Sequence, residues 1–448
     1  MTSAGNGGRA KEIAGRVWGE VRSPLYRNAL YIMAASVIGS ALGFFFLLIA
    51  ARNFSDDDVG FAVTLFQTVA FLAALAHLGL GTATIRYLPE TEEKTPLVNT
   101  CLTIVGSGAV ILSVVFILGI GVWAPSLSFI WQWPPVYPIA IILAALAIAL
   151  PAILDQAGYA VRHAEVLTWR TLIQSVLKIP LILFMPIFFI GRLGVFLSLA
   201  LAAGTAVVAE AYVLLPRVLP GYRPKPHLGF HRIRPMFRFS LGNYAANSIV
   251  AAGSLPLTLM IINVLGANRA ADAAYYYVAQ TVAGLLYIIP TALFTSFFAE
   301  ASQRNASRHR DERRSIGMTL LLLLPAIAVF FVFAEPVLML FGSSTYAAGA
   351  VGALRILVFA SIPVTVNNVL ATRIKVRKRS APLIVGSAIM SVATLALGYV
   401  LLQTYGIDGL ALGVVIGQVA PLPYYYYVAR QSFEGEVGEP PQPEPVQQ

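Results

Sequence analysis

The sequence predicts an all-α integral membrane protein of about twelve transmembrane helices, arranged as two six-helix lobes related by a parallel, pseudo-two-fold repeat. Three observations predict it: an apolar composition, the number of long apolar runs and a one-sided distribution of basic residues. Of 448 residues, 58% are hydrophobic and 12% charged, and the mean hydropathy is +0.75. A soluble core cannot bury that much apolar surface, so lipid covers it.

A helix needs about 20 mostly apolar residues to cross a hydrocarbon layer of roughly 30 Å. Twelve segments meet that length, near residues 29–50, 60–82, 97–123, 136–160, 168–190, 193–215, 238–263, 272–298, 316–340, 347–371, 382–403 and 407–429. Gly191-Arg192 separates segments five and six, and Tyr405-Gly406 separates eleven and twelve. Both pairs therefore form helical hairpins with tight extracytoplasmic turns.

With the N-terminus on the cytoplasmic side, 26 of the 31 Lys and Arg residues fall in cytoplasmic segments. Arg52, Arg192 and Arg269 face the other side, and Lys178 and Arg355 lie at membrane depth. This is the positive-inside pattern, which also accounts for the formal net charge of +10 without a nucleic-acid partner. Multi-pass insertion in the cytoplasmic (inner) cell membrane, with both termini cytoplasmic, is the expected localisation. The single Cys101 provides neither a disulfide framework nor a thiolate metal cluster.

The domain plan follows from these runs. Residues 1–28 form a cytoplasmic N-terminal segment, in which Ile13, Val17, Val21 and Leu25 beside Trp18 predict a short interfacial helix rather than a removable signal peptide. Residues 29–215 form the N-lobe, 216–238 a basic cytoplasmic linker and 239–429 the C-lobe. The tail 430–448, acidic and proline-containing, has too little apolar surface to fold and is expected to be disordered.

The two halves repeat weakly at a nearly constant offset. Gln67-Thr68-Val69-Ala70 matches Gln280-Thr281-Val282-Ala283. Pro151 with Asp155-Gln156 matches Pro363 with Asn367-Asn368, and Gly191 and Gly194 match Gly406 and Gly409. Six spans return the chain to its starting side, so both halves keep one orientation. Parallel repeats of this kind predict a transporter with a cavity between its lobes.

Four stretches carry a family resemblance: ARNFSDDDVGFAV from Ala51, LGLGTATIRYLPE from Leu78, AAYYYVAQTVAGLLYIIPTALFTSFFAEAS from Ala273, and LRILVFASIPVTVNNVLATRIKVRKR from Leu354. In this order and spacing they resemble the multidrug/oligosaccharidyl-lipid/polysaccharide (MOP) exporter superfamily, in its polysaccharide-transport branch of O-antigen-type flippases. The resemblance implies a MATE-like fold, alternating access and movement of a polyprenyl-phosphate-linked oligosaccharide to the outer leaflet. It implies no enzyme activity and no cofactor, and leaves proton or sodium coupling open. Partners would be the lipid-linked substrate, membrane lipids and glycan-assembly proteins.

Ionisable groups at membrane depth cost roughly 2.5–3.5 kcal/mol each to insert, so they usually serve a cavity or a partner. Lys178 and Arg355, one in each half, are candidates to bind an anionic pyrophosphate headgroup. The alternatives are an ion pair between Lys178 and Asp155 and outward snorkelling of Arg355. Arg52 is either a further substrate contact or a partner of Asp56, Asp57 or Asp58. Asp155, Glu210 and His77 are candidate ion-coupling groups, with structural pairing the competing reading for Asp155. Asn367 and Asn368 would bind sugar hydroxyls or bond neighbouring helices. The tyrosine runs 275–277 and 424–427 read as interfacial belts. No metal-type His cluster and no paired-carboxylate motif is present in the sequence.

The alternatives to a flippase are a cation-coupled multidrug exporter of the same superfamily and a membrane glycan polymerase or ligase. Such exporters usually carry a deep acid in span one or seven, which are free of one here, and a polymerase would need long outward loops.

Overall fold

The computed structural model describes residues 24–188, 191–301, 308–342, 344–376 and 381–434. The predicted interfacial helix therefore lies, up to residue 23, outside the described residues, as do the tail from 435 and the loop cations Arg304, Arg377, Lys378 and Arg379. The described part of the tail continues the last helix to Glu434.

Among the described residues the chain is helical, without strands. Nine stretches are long and apolar enough to cross a bilayer. One of them, Ala381–Arg430, holds two spans because Gly406 interrupts it with φ 60°, ψ −146°. Helix Ala270–Ala301 and the helix Arg308–Val332, whose apolar part starts at Ile316, bring the total to the predicted twelve. Exposed Val122, Leu321, Ile187 and Val392 show the all-round apolarity that lipid contact requires.

Local sequence explains where spans break. Span three, Lys94–Leu118, breaks at Gly119 and continues as a short helical piece, Ile120–Trp123, to its predicted end, and a 3-10 helix Pro125–Gln132 follows. Span four is Val136–Ala149 continued by Pro151–Ala160. Pro151, which has no N–H to give, sits at the joint. Span ten has the same joint: Ser344–Phe359 gives way to Ser361–Val376, with Pro363 in the first turn of the second piece. Span seven divides into Phe230–Ser254 and Leu257–Leu265.

The repeat is visible in backbone geometry as well as in sequence. Gly191, before span six (Arg192–Ala209), has φ 76°, ψ −148°, and Gly406, before span twelve, has nearly the same pair of angles. Side chains rarely adopt this region, so both hairpins need glycine at the same place.

The chain forms two compact units. One runs up to Asn53 and from Thr68 to Tyr244; the other joins Phe54–Gln67 to the residues from Ala245 onwards.

In the first unit, span one (Pro24–Asn53) packs on span five (Glu165–Phe188). Gly39 and Gly43, four residues apart, allow the approach: a Cβ on Gly39 would lie 3.2 Å from the Thr171 methyl, and one on Gly43 would lie 3.6 Å from Lys178 Nζ. Small residues one turn apart are how membrane helices come close without a hydrophobic driving force. Thr168 adds a hydrogen bond from its hydroxyl to the Tyr31 carbonyl, at 2.9 Å.

In the second unit, Tyr276 and Tyr346 are fully buried. Tyr275 stacks edge-on against Tyr346 and donates to Asp56 Oδ2 at 2.6 Å, where Thr345 also donates at 2.7 Å. The belt reading of the first tyrosine run is corrected here: Tyr276 is core and Tyr275 is a hydrogen-bonding group. The second run divides, with Tyr426 and Tyr427 exposed and Tyr425 packed between Leu370 and Leu383.

Candidate functional site

Spans four, five and six bring three charged side chains together inside the first unit. Asp155 follows the Pro151 joint by one turn, Arg170 lies in the second turn of span five, and Glu210 ends span six. Arg170 donates from Nε to Asp155 Oδ1 at 3.0 Å and from Nη2 to Oδ2 at 2.8 Å, and its Nη1 reaches Gln174 Oε1 at 3.0 Å. This is a bidentate guanidinium–carboxylate pair, the strongest form of charge-assisted hydrogen bond. Glu210 Oε2 stands 3.4 Å from the same Nε.

Two features of the chain deliver Glu210 to this place. Leu193, Val195, Phe196, Ala203 and Ala206 are buried, so one face of span six packs against its own unit. The helix then widens into a π-turn, Glu210–Leu214, where the Leu215 N–H bonds to the Glu210 carbonyl five residues back. Pro216 follows immediately. It donates no hydrogen bond, and its ring crowds the carbonyl four residues earlier, conditions under which a helix opens.

Two sequence expectations are corrected at this site. Lys178 does not pair with Asp155, because Arg170 does. Arg170, one of the 26 cations counted as cytoplasmic although it stands two residues inside the apolar run at 168, lies within span five with its side chain 12% exposed. The span begins at Glu165, three residues earlier than the apolar run.

Lys178, two turns further along span five, is half-buried against span one. Its Nζ sits 5.9 Å from the centre of the Phe46 ring and beside Gly43. Among the described residues it has no ion-pair or hydrogen-bond partner, so this is an uncompensated cation at membrane depth.

The remaining candidates are dispersed. Arg52, at the end of span one, is exposed. Arg355, in the second unit, donates from Nε to the Phe331 carbonyl at 3.3 Å and covers the Phe331 ring at 5.4 Å. Asn367 donates to the Gln418 carbonyl at 2.7 Å, joining spans ten and twelve, and its own Oδ1 is buried without a partner. Asn368 is half-buried. His77 lies where span two (Asp56–Ala76) ends, held to the Ala149 backbone, with Nε2 buried and unbonded. Among the described residues no three His, Cys, Asp or Glu side chains are grouped to hold a metal ion.

Residues 49–350 match the model of a family described as polysaccharide biosynthesis protein. No curated protein matches the chain in sequence. Solved structures match it over nearly its whole length. The lipid II flippase MurJ, in an inward closed conformation, aligns with a TM-score of 0.69 and 14% identity over 90% of this chain and 87% of that one. An inward-facing MATE family multidrug resistance transporter of the MOP superfamily aligns with a TM-score of 0.66 and 15% identity, over 92% of this chain and 100% of that one. An outward-facing MATE transporter gives 0.61 and 18%, over 94% and 98%. At these identities the likeness is one of fold, and it is the fold that the two repeated six-span halves predict. The family match spans well over half of the chain, which therefore belongs to the polysaccharide biosynthesis protein family and carries the MOP superfamily fold.

Proposed function

We propose that the chain is a flippase that moves a polyprenyl-phosphate-linked oligosaccharide, a precursor of a cell-envelope glycan, from the cytoplasmic to the outer leaflet of the cytoplasmic membrane. Alternating access of its two six-span lobes, 29–215 and 239–429, replaces water with a polar path for the glycan while the lipid tail stays in hydrocarbon. Membership of the polysaccharide biosynthesis family supports the substrate class. The observation that carries the reading is Lys178: a half-buried cation in mid-span, unpaired among the described residues, is expensive to maintain, and an anionic headgroup is a partner that would offset the cost.

In this reading Lys178 binds phosphate oxygens, and Arg355, with its Nε on the Phe331 carbonyl, is a separate candidate cation. Asn368 and Arg52 are the remaining candidate contacts. Asn367 instead joins helices, since Gln418 takes its amide. The termini and the basic loops are cytoplasmic, as the positive-inside pattern requires.

The test is the leaflet in which the lipid-linked glycan resides. In intact cells or right-side-out vesicles, a labelled lipid-linked saccharide becomes accessible to an externally added glycosidase only when the protein is present. Equal accessibility without the protein contradicts the reading.

A further inference from the structure

The Asp155–Arg170–Glu210 cluster has a charge imbalance that its hydrogen bonds do not resolve. Arg170 commits Nε and Nη2 to Asp155 and Nη1 to Gln174. Glu210, 0% exposed, keeps only the 3.4 Å ion-pair contact, and both of its carboxyl oxygens are buried with no hydrogen-bond partner. Among the described residues no second cation lies within ion-pair distance of either acid. Two buried carboxylates thus face a single guanidinium.

The acids also lie side by side, since Asp155 Oδ1 at 3.0 Å and Glu210 Oε2 at 3.4 Å both approach the same Arg170 Nε. Two ionised carboxylates repel and have no hydrogen to share; with one proton between them they form a hydrogen bond, and one negative charge then balances one positive charge. The other titratable groups within electrostatic reach are phenols, Tyr159 from span four and Tyr222 from the segment after span six. Both phenols are neutral and leave the charge balance unchanged.

The geometry points to a proton-binding site in the first unit, in which Asp155 and Glu210 share one proton opposite Arg170. Uptake forms one O–H bond on either carboxyl, which donates to the other; release returns the proton to water and leaves a net charge of one at the cluster. The π-turn at Glu210 supports this assignment, since a widened turn holds the acid against the guanidinium at a joint rather than within a regular helix. Use of the proton to drive transport rests on the flippase reading. Proton occupancy of the site does not.

Infrared difference spectroscopy of the purified full-length protein in lipid vesicles, recorded between pH steps in H2O and D2O, tests it without any substrate. The wild-type protein is expected to show a protonated-carboxyl carbonyl band that changes with pH and shifts in D2O. Glu210→Gln and Asp155→Asn each abolish or displace that band, whereas Glu335→Gln, at an exposed position, leaves it in place. A wild-type protein with no such band at any pH at which it stays folded overturns the proposal whether or not the variants fold. So does a band that persists unchanged in both site variants. Failure of the flippase reading is seen separately, in the accessibility of the lipid-linked saccharide.

Discussion

Arg170 of span five holds Asp155 of span four by two hydrogen bonds, 3.0 and 2.8 Å, and thereby takes the carboxylate that Lys178 would otherwise need. The pair fixes one cation in the packing between spans and leaves the other, two turns away, without an ion-pair partner among the described residues. One basic residue of the helix is held by the packing and the other is not, and the division makes them separable by mutation.

Arg170→Met removes the guanidinium that, among the described residues, alone faces two buried acids. Breaking a buried pair from one side typically costs about 3–5 kcal/mol, because the partner charge is left uncompensated. The expected result is a large fall in the thermal stability of the detergent-solubilised protein. Arg170→Met combined with Asp155→Asn recovers part of that loss, since it removes one of the stranded acids, and thermal unfolding of the four proteins in the cycle checks both steps.

Lys178→Ala deletes a charge that has no ion-pair or hydrogen-bond partner among the described residues. The protein accumulates and unfolds as the wild type does, while transport falls about tenfold or more, the worth of one charge-assisted contact of roughly 1.5–3 kcal/mol. Parallel measurement of membrane abundance and of lipid-linked saccharide turnover separates the two effects. A normal rate in Lys178→Ala removes Lys178 from the site.

Gly39→Leu places a branched side chain where a Cβ alone already approaches the Thr171 methyl to 3.2 Å. Overpacking of this kind costs about 1–3 kcal/mol. Gly284, where an added Cβ would meet no other element within 4 Å among the described residues, is the control: Gly284→Leu leaves thermal stability close to that of the wild type.

Gly191→Ala and Gly406→Ala test the repeat. Both residues sit at positive φ with ψ near −147°, a region that costs a side chain about 1–3 kcal/mol. Each substitution is expected to lower thermal stability by a similar amount, because the two hairpins are built alike.

Most of the fold was legible in the sequence because lipid imposes long apolar runs and cationic loops, and neither signal depends on knowing which helices touch. Even the two hairpins could be placed, and Pro151 and Pro363, where spans four and ten turn out to be jointed, stood out as matched positions of the repeat. The contacts of the site were less accessible. Arg170 lies only two residues inside the start of the apolar run at 168, so it counts with the cytoplasmic cations, and its partner comes from another helix, which periodicity does not report. Glu210 was flagged as an intramembrane acid, but its place opposite Arg170 depends on a π-turn whose only sequence signal is Pro216. Tyr275 and Tyr276 read as interfacial aromatics because composition does not distinguish a buried tyrosine from a belt tyrosine. The Gly39/Gly43 spacing was present in span one, but its partner on span five appears only once the helices are packed.

The most direct test of the central claim is mass spectrometry of isoprenoid-linked saccharides in the native host with and without the gene. Accumulation of a completed oligosaccharide on its lipid carrier when the gene is deleted, reversed by the wild-type copy, is the predicted result, and its mass identifies the substrate. Unchanged lipid-linked saccharides together with heightened sensitivity to cationic drugs would contradict the flippase and favour an exporter.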